Sequence, residues 1–481
     1  MLPKFRPMVP RLIAMRFGIT MGSLVLLAIL IVSCAGGGGS SPAAVGPQQV
    51  VPTPTPHPTP TPSGPADCTT SKAVRYAHAM ARLMEAARIP ARRLMTARVG
   101  RGPASRVCPD QAVGRMSCRS WVRTDLSPRL PMGYGPNELQ SAYNLTSASS
   151  SKGVGQVVAI VDAFDDVNAE SDLTFYRSAA GLPACTTANG CFIKVNQIGI
   201  ASNYPSGNGG WALEESLDLD MVSAVCPKCD IILVEANTNN NSDLYTAEDT
   251  AATTCGANVI SNSWGGGEYP SETSDELHFN RPGIMITFAS GDNQAQASYP
   301  PASQYVTSVG GTTLNLGPYS ETVWPDSGSW CSQYIAQPSW QALLGSSYTS
   351  VCSGRMYNDV AAVADPGTPV AVYDTAPGGC GGWCGVGGTS AATPIIAGVY
   401  ALAENEGSIT SGSYSYSHAG SLNAITMGNN GPETPTPPTP TPPGTPPPNG
   451  CPPYTGTFIC NAGPGYNGPA GNGSPNGIGG F

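Results

Sequence analysis

Three short stretches carry hydroxyl and carboxyl groups that could act together on a carbonyl. The first, Gly387-Gly388-Thr389-Ser390-Ala391-Ala392-Thr393-Pro394, leads into an apolar run through Ile395, Ile396, Val399 and Leu402. Glycines allow a close backbone approach. A serine opening the following helix sits at the positive end of its dipole, which favours a developing alkoxide or oxyanion. The same residues also suit an ordinary helix cap, so Ser390 reads as a nucleophile only if a base accompanies it.

Histidine is poorly placed for that task. Of four histidines, His57 lies in a Pro/Thr tract, His78 in a basic stretch, and His418 after a Ser/Tyr run. His278 has Glu276, Leu277, Phe279 and Asn280 as neighbours, and no His-Gly-x-His pattern occurs. The acidic groups offer more. In Trp211-Ala212-Leu213-Glu214-Glu215-Ser216-Leu217-Asp218, Glu214 and Asp218 are four apart and share one helix face. Two close carboxyls cannot both ionise cheaply, so one keeps its proton. Such carboxyls titrate near ~4 when unperturbed, so the pair would work best in acid. With Glu215 and Asp220 adjacent, a solvated acidic face is the plainer alternative. Third, Ala289-Ser290-Gly291-Asp292 follows an apolar run. A protonated Asp292 there could donate to an oxyanion, whereas a turn aspartate is the ordinary reading.

These groups need a scaffold. Val157–Val161 is a continuous apolar run of the kind that forms a strand buried on both faces. Ile231–Val234, Val259–Ser263, Ile284–Phe288 and Val306–Val309 repeat it, with helical lengths such as Glu215–Val225 and Ser242–Thr254 between. The alternation predicts an α/β fold, with a mainly parallel central sheet and helices on both faces. Catalytic groups then gather at the carboxyl ends of the strands.

In this order, the three segments resemble the sedolisin family of serine-carboxyl peptidases. Glu-x-x-x-Asp matches Glu214 and Asp218, Ser-Gly-Asp matches Asp292, and Gly-Thr-Ser-x-x-x-Pro matches Ser390. The likeness runs from about Gly133 to the end. It implies a three-layer subtilisin-like fold and a Ser-Glu-Asp triad, with Asp292 at the oxyanion. Peptide bonds of protein or peptide substrates would be cut in acid through an acyl-enzyme. Ser261-Asn262-Ser263-Trp264-Gly265 looks like the family's substrate-pairing strand, so Ser261, Ser263, Trp264 and Gly265 are expected to bind substrate. The resemblance also implies calcium near the C-terminus, but two ligand aspartates are replaced, by Ala424 and Asn467. Calcium takes several charged oxygens, so a weak site or none is expected, and no other metal or cofactor. Two alternatives stay open: a catalytically inactive exported binding module on the same fold, and a subtilisin-like enzyme using Asp162 and His278.

The remaining sequence points outside the cytoplasm. Lys4, Arg6, Arg11 and Arg16 precede an apolar Met21–Val32 run, too short for a comfortable membrane span and suited to a signal peptide. It ends Ile31-Val32-Ser33-Cys34-Ala35, which resembles a lipobox, so Cys34 is expected to carry a lipid and anchor the chain to the membrane. Beyond Cys34, 14 of the 15 cysteines remain for disulfides. Cys185/Cys191, Cys226/Cys229, Cys380/Cys384 and Cys451/Cys460 are the close candidates. The expected order is a signal peptide over 1–34, a Gly/Ser and Pro/Thr linker over 35–66, a basic pro-segment over 67–132 and a peptidase domain over 133–481. That domain carries a Pro-rich insertion at 432–450. A helix is expected over Lys72–Arg88. The whole chain carries a net charge of -9 and 11% charged residues, with 58 Gly and 47 Pro. Charge divides sharply, about +9 over 67–132 against about -22 over 133–481. That contrast suggests the pro-segment as an intramolecular partner of the acidic domain, not nucleic-acid binding.

Overall fold

A computed structural model describes Asp67, Cys68, Met80 and residues 100–408, 412–431, 451 and 456–481. The expected signal peptide, Cys34, the linker, the insertion at 432–450 and all but Met80 of the expected 72–88 helix lie outside the described residues. Among the described residues, no helix is long and apolar enough to cross a membrane.

The strands are β1 Ala104–Arg106, β2 Ser117–Cys118, β3 Trp121–Arg123, β4 Val157–Ala163, β5 Phe192–Asn196 and β6 Asp230–Ala236. They continue with β7 Val259–Asn262, β8 Trp264–Gly265, β9 Met285–Ala289, β10 Thr307–Leu316, β11 Tyr319–Val323, β12 Trp330–Ala336, β13 Gly354–Tyr357, β14 Val360–Val363, β15 Val370–Asp374 and β16 Gly382–Gly387. The central sheet runs β11-β10-β9-β7-β4-β6-β5, with β14 also on β10. Every pairing in it is parallel except β10 with β11.

β4 shows why the apolar runs lie inside. Val158 and Ile160 join one core, while Val157, Ala159 and Val161 join the core on the opposite face. With successive side chains pointing to opposite faces, a strand covered by helices on both sides must be apolar throughout. Four helices matter for the site: α1 Ala169–Ala180, α2 Gly209–Val225, α3 Asn241–Thr253 and α4 Thr389–Ala403. Leu213, Leu217, Ile395 and Ile396, from α2 and α4, pack into the first core; Leu244 and Ala247, from α3, pack into the second. The architecture is the three-layer α/β arrangement that the strand–helix alternation predicts.

The later half of the basic segment behaves differently from a detachable pro-domain. β1 and β3 join β16 and β15 in a four-stranded antiparallel sheet, and β2 pairs antiparallel with β8. Arg101 to Asp365, at 3.4 Å, is the one ion pair among the described residues that joins this segment to the acidic body. Arg106 and Arg123 pair instead with Asp110 and Asp125 of the segment itself. Among the described residues, backbone pairing joins it to the body alongside that ion pair.

All 14 remaining cysteines are paired. The four close candidates are bonded as expected, and Cys68–Cys255, Cys108–Cys118 and Cys331–Cys352 complete the set.

Candidate active site

α2 begins at Asn208, whose Oδ1 accepts from the backbone N–H groups of Gly210 (3.1 Å) and Trp211 (3.2 Å), satisfying two donors at the helix start. One turn further, Glu214 and Asp218 project inward, both fully buried. Their face is not the solvated acidic stripe that spacing alone allows. Asp218 accepts from Ser263 Oγ at 2.8 Å on either carboxylate oxygen. Asp162, near the carboxyl end of β4, joins the group through its charge. It is fully buried, neither oxygen meets a donor, and burial, then Asp218 and Glu214, drive its pKa well above the ordinary range.

Ser390 lies in the first turn of α4, as the sequence predicts. Gly388, just before the helix, has φ +100°, a backbone conformation that favours glycine. Ser390 Oγ donates to the Ser263 carbonyl at 3.1 Å. The Glu214 carboxyl lies near it, with Oε1 meeting no donor. Asp292 follows β9 and is fixed by Thr389, whose N–H (2.8 Å) and Oγ1 (2.7 Å) both donate to its Oδ1. Asp292 Oδ2 has no donor. Glu214, Asp218, Asp292 and Ser390 thus meet in one cleft.

The electrostatics follow from burial. Loss of water pushes the Glu214 carboxyl up to about 8, against the opposing hydrogen bond from Ser120 and the nearby Ser390 hydroxyl. The same cause, with Glu214 second, holds Asp218 well above the carboxylate range. Burial raises Asp292 to about 6, less far because Thr389 and the Arg119 cation favour its anion. Several buried carboxyls within one site must therefore share protons.

The cleft is filled by the chain itself. Ser117 pairs with Gly265 and Cys118 with Trp264; beyond the site, Trp121 pairs with Gly387 and Val122 with Val386. Between them, Arg119 N–H donates to the Ser263 carbonyl and to Ser390 Oγ, each at 3.0 Å. The Arg119 carbonyl accepts from Ser390 N–H at 3.0 Å. A Cβ on Gly388 would overlap that carbonyl oxygen and stand 2.8 Å from Asp292 Oδ2, so carbonyl and carboxyl share the space its missing side chain leaves. Ser120 Oγ donates to Glu214 Oε2. The buried Arg119 side chain passes beside Gly265 and Gly291, and burial pulls its pKa down despite Asp292 and Asp110.

Of the residues expected to pair with substrate, Ser263, Trp264 and Gly265 line this segment. Ser261 lies within β7, between Ile160 of β4 and Thr287 of β9, short of the cleft. Trp264 also braces the sheet through Nε1, which donates to the Val161 carbonyl at 2.8 Å. His278 hydrogen-bonds to Asp249 at 3.0 Å and stacks on Tyr245, so it serves a different corner of the molecule from Ser390. Sequence reasoning missed the Ser117–Trp121 occupant, and weighed Asp162 only as a partner of His278. A lone carboxylate ending a buried strand was the available signal for Asp162.

The residues at the position implied for calcium do not fit that ion. Asn467 Nδ2 donates to the Ile425 carbonyl at 3.0 Å, and its Oδ1 accepts from Ala470 N–H at 3.1 Å. A neutral amide thus ties together the loop that two carboxylates would have to line. The one metal-like grouping among the described residues is Asp374, Cys380 and Cys384, whose cysteines are bonded to each other.

The Subtilase family matches the chain over residues 199–419. Kumamolisin of Bacillus sp. (strain MN-32) is 30% identical over 302 residues, covering 56% of this chain and 52% of that protein. Sedolisin of Pseudomonas sp. (strain 101) is 26% identical over 356 residues, covering 65% and 58%. The chain thus spans little more than half the length of these relatives. The solved structure of Pseudomonas sedolisin, a serine-carboxyl proteinase complexed with two molecules of pseudo-iodotyrostatin, superposes with a TM-score of 0.57 at 24% identity. That superposition takes in 72% of this chain and 96% of the other.

Proposed function

The chain is a subtilisin-like protein of the sedolisin family, and from that premise we propose that it is a serine-carboxyl endopeptidase, hydrolysing peptide bonds in acid through an acyl-enzyme. Ser390 Oγ attacks the substrate carbonyl carbon and Glu214 takes its proton. Asp218, held by Ser263, shares a proton with Glu214 and orients it. Protonated Asp292 and the Ser390 N–H receive the oxyanion. Glu214 then returns the proton to the departing amine, and water releases the acyl group. The observation that carries this reading is the peptide already in the cleft, whose Arg119 carbonyl accepts from Ser390 N–H at 3.0 Å.

The raised Asp292 carboxyl supports acid operation, since it can donate only while protonated, below about 6. The substrates proposed are proteins or peptides laid antiparallel along β8, in the path that Ser117–Cys118 takes now. With its own segment in place, this form is latent. Calcium has no part in the proposal, because the Asn467 amide occupies the loop. The paired cysteines fit an oxidising compartment outside the cytoplasm, with Cys34 as the proposed lipid attachment.

Ser390→Ala and Glu214→Gln test the assignment. Each should lower kcat/KM on a denatured protein substrate at least about 10³-fold. A Ser390→Ala protein with unimpaired cleavage would overturn it.

A further inference from the structure

Resting on the peptidase reading, we propose that the chain cuts its own Arg119–Ser120 bond, and that Cys68–Cys255 keeps the amino-side fragment attached as a tethered inhibitor that substrate must displace. The Arg119 carbonyl lies on Ser390 N–H, and the chain pairs on both sides of it. Attack joins Ser390 Oγ to the Arg119 carbonyl carbon. The bond to Ser120 N breaks, and that nitrogen gains the proton held by Glu214. Water then frees the Arg119 carboxylate and restores Ser390.

The cut leaves an arm ending at Arg119. It contains Cys68, Cys108 and Cys118. Cys108–Cys118 closes a loop within the arm, whereas Cys68–Cys255 joins it to the segment following α3. Both Cys68 and Cys255 are buried, and Cys68 N–H donates to the Gly199 carbonyl, so the tether is sheltered inside the folded body. β2 can still pair with β8, and β1 with β3. Linkage makes rebinding intramolecular, with an effective concentration up to about millimolar. The arm's hold on the cleft is therefore independent of dilution. Cys34, the expected lipid site, is on the same arm, so the disulfide also decides whether the cut peptidase stays at the membrane.

The test compares wild type with Ser390→Ala after acidification, by amino-terminal sequencing and by gels run with and without reductant. The proposal expects a new terminus at Ser120 in wild type alone, with the pieces separating only under reductant. If wild type digests a protein substrate yet no terminus appears at Ser120, or the arm leaves without reductant, the proposal falls and the peptidase reading stands. If neither substrate nor chain is cut, the peptidase reading itself fails. A second measurement uses the Cys68→Ser, Cys255→Ser variant. Over about a 100-fold dilution, wild-type specific activity should stay constant while the variant's rises. A parallel rise in wild type would overturn the tether.

Discussion

Asp292 carries the clearest residue-scale consequence. Its Oδ1 is engaged by Thr389, which leaves Oδ2 toward the carbonyl in the cleft. With a pKa raised to about 6, the group donates below that pH and ceases to donate above it. Asp292→Asn preserves the Thr389 bonds and donates through Nδ2 at any pH. The fall in kcat/KM on the alkaline side of pH 6 should therefore move upward or vanish in this variant. Asp292→Ala should instead cost about 10²–10³ in kcat. Ser120 gives a second expectation, since its hydroxyl occupies Oε2 of Glu214, the proposed base. Ser120→Ala should speed self-cleavage, read as the rate at which the intact chain disappears in acid. An unchanged rate would mean that Ser120 does not restrain the base. The four central side chains were legible through the family resemblance, because spacing alone also allowed a helix cap, a solvated acidic face and a turn aspartate. Ser120 was not, since a lone serine carries no signal until the backbone delivers it to Glu214.

At the scale of elements, β7 and β8 position the site from one side, and α2 and α4 from the other. Trp264 locks that edge to the central sheet through its bond to the Val161 carbonyl, and meets Phe288 edge-on with centroids 4.9 Å apart. Trp264→Phe keeps the aromatic volume but leaves that carbonyl without its indole donor, which should cost about 1–3 kcal/mol. Denaturant unfolding of Ser390→Ala with and without Trp264→Phe checks this, and equal midpoints would refute the bracing role. The sheet strands were readable from their apolar runs, because burial on both faces leaves no other composition. Short strands such as β2 and β3 were not. Two or three residues carry no period, and their partners β8 and β16 lie more than a hundred positions away.

The whole molecule concentrates buried carboxyls. Glu214 and Glu248 are raised to about 8 and Asp292 to about 6, in each case chiefly by burial. A carboxyl with a raised folded pKa adds stability that is complete below its unfolded pKa, near ~4, and is lost as pH rises through the folded value. The melting temperature of Ser390→Ala should thus be highest near pH 4 and fall progressively toward pH 8; a rise over that range would contradict the burial argument. Net charge alone suggested that the basic segment binds by ion pairing. Its hold through strands was illegible in composition, because backbone hydrogen bonds leave no trace there. The most direct test of the central claim is kcat/KM against pH, from about 2.5 to 8, for fully processed wild type and Ser390→Ala. The account predicts an acid optimum in the wild type and loss of cleavage throughout the range in the variant. A neutral optimum, or cleavage that survives without the Ser390 hydroxyl, would contradict it.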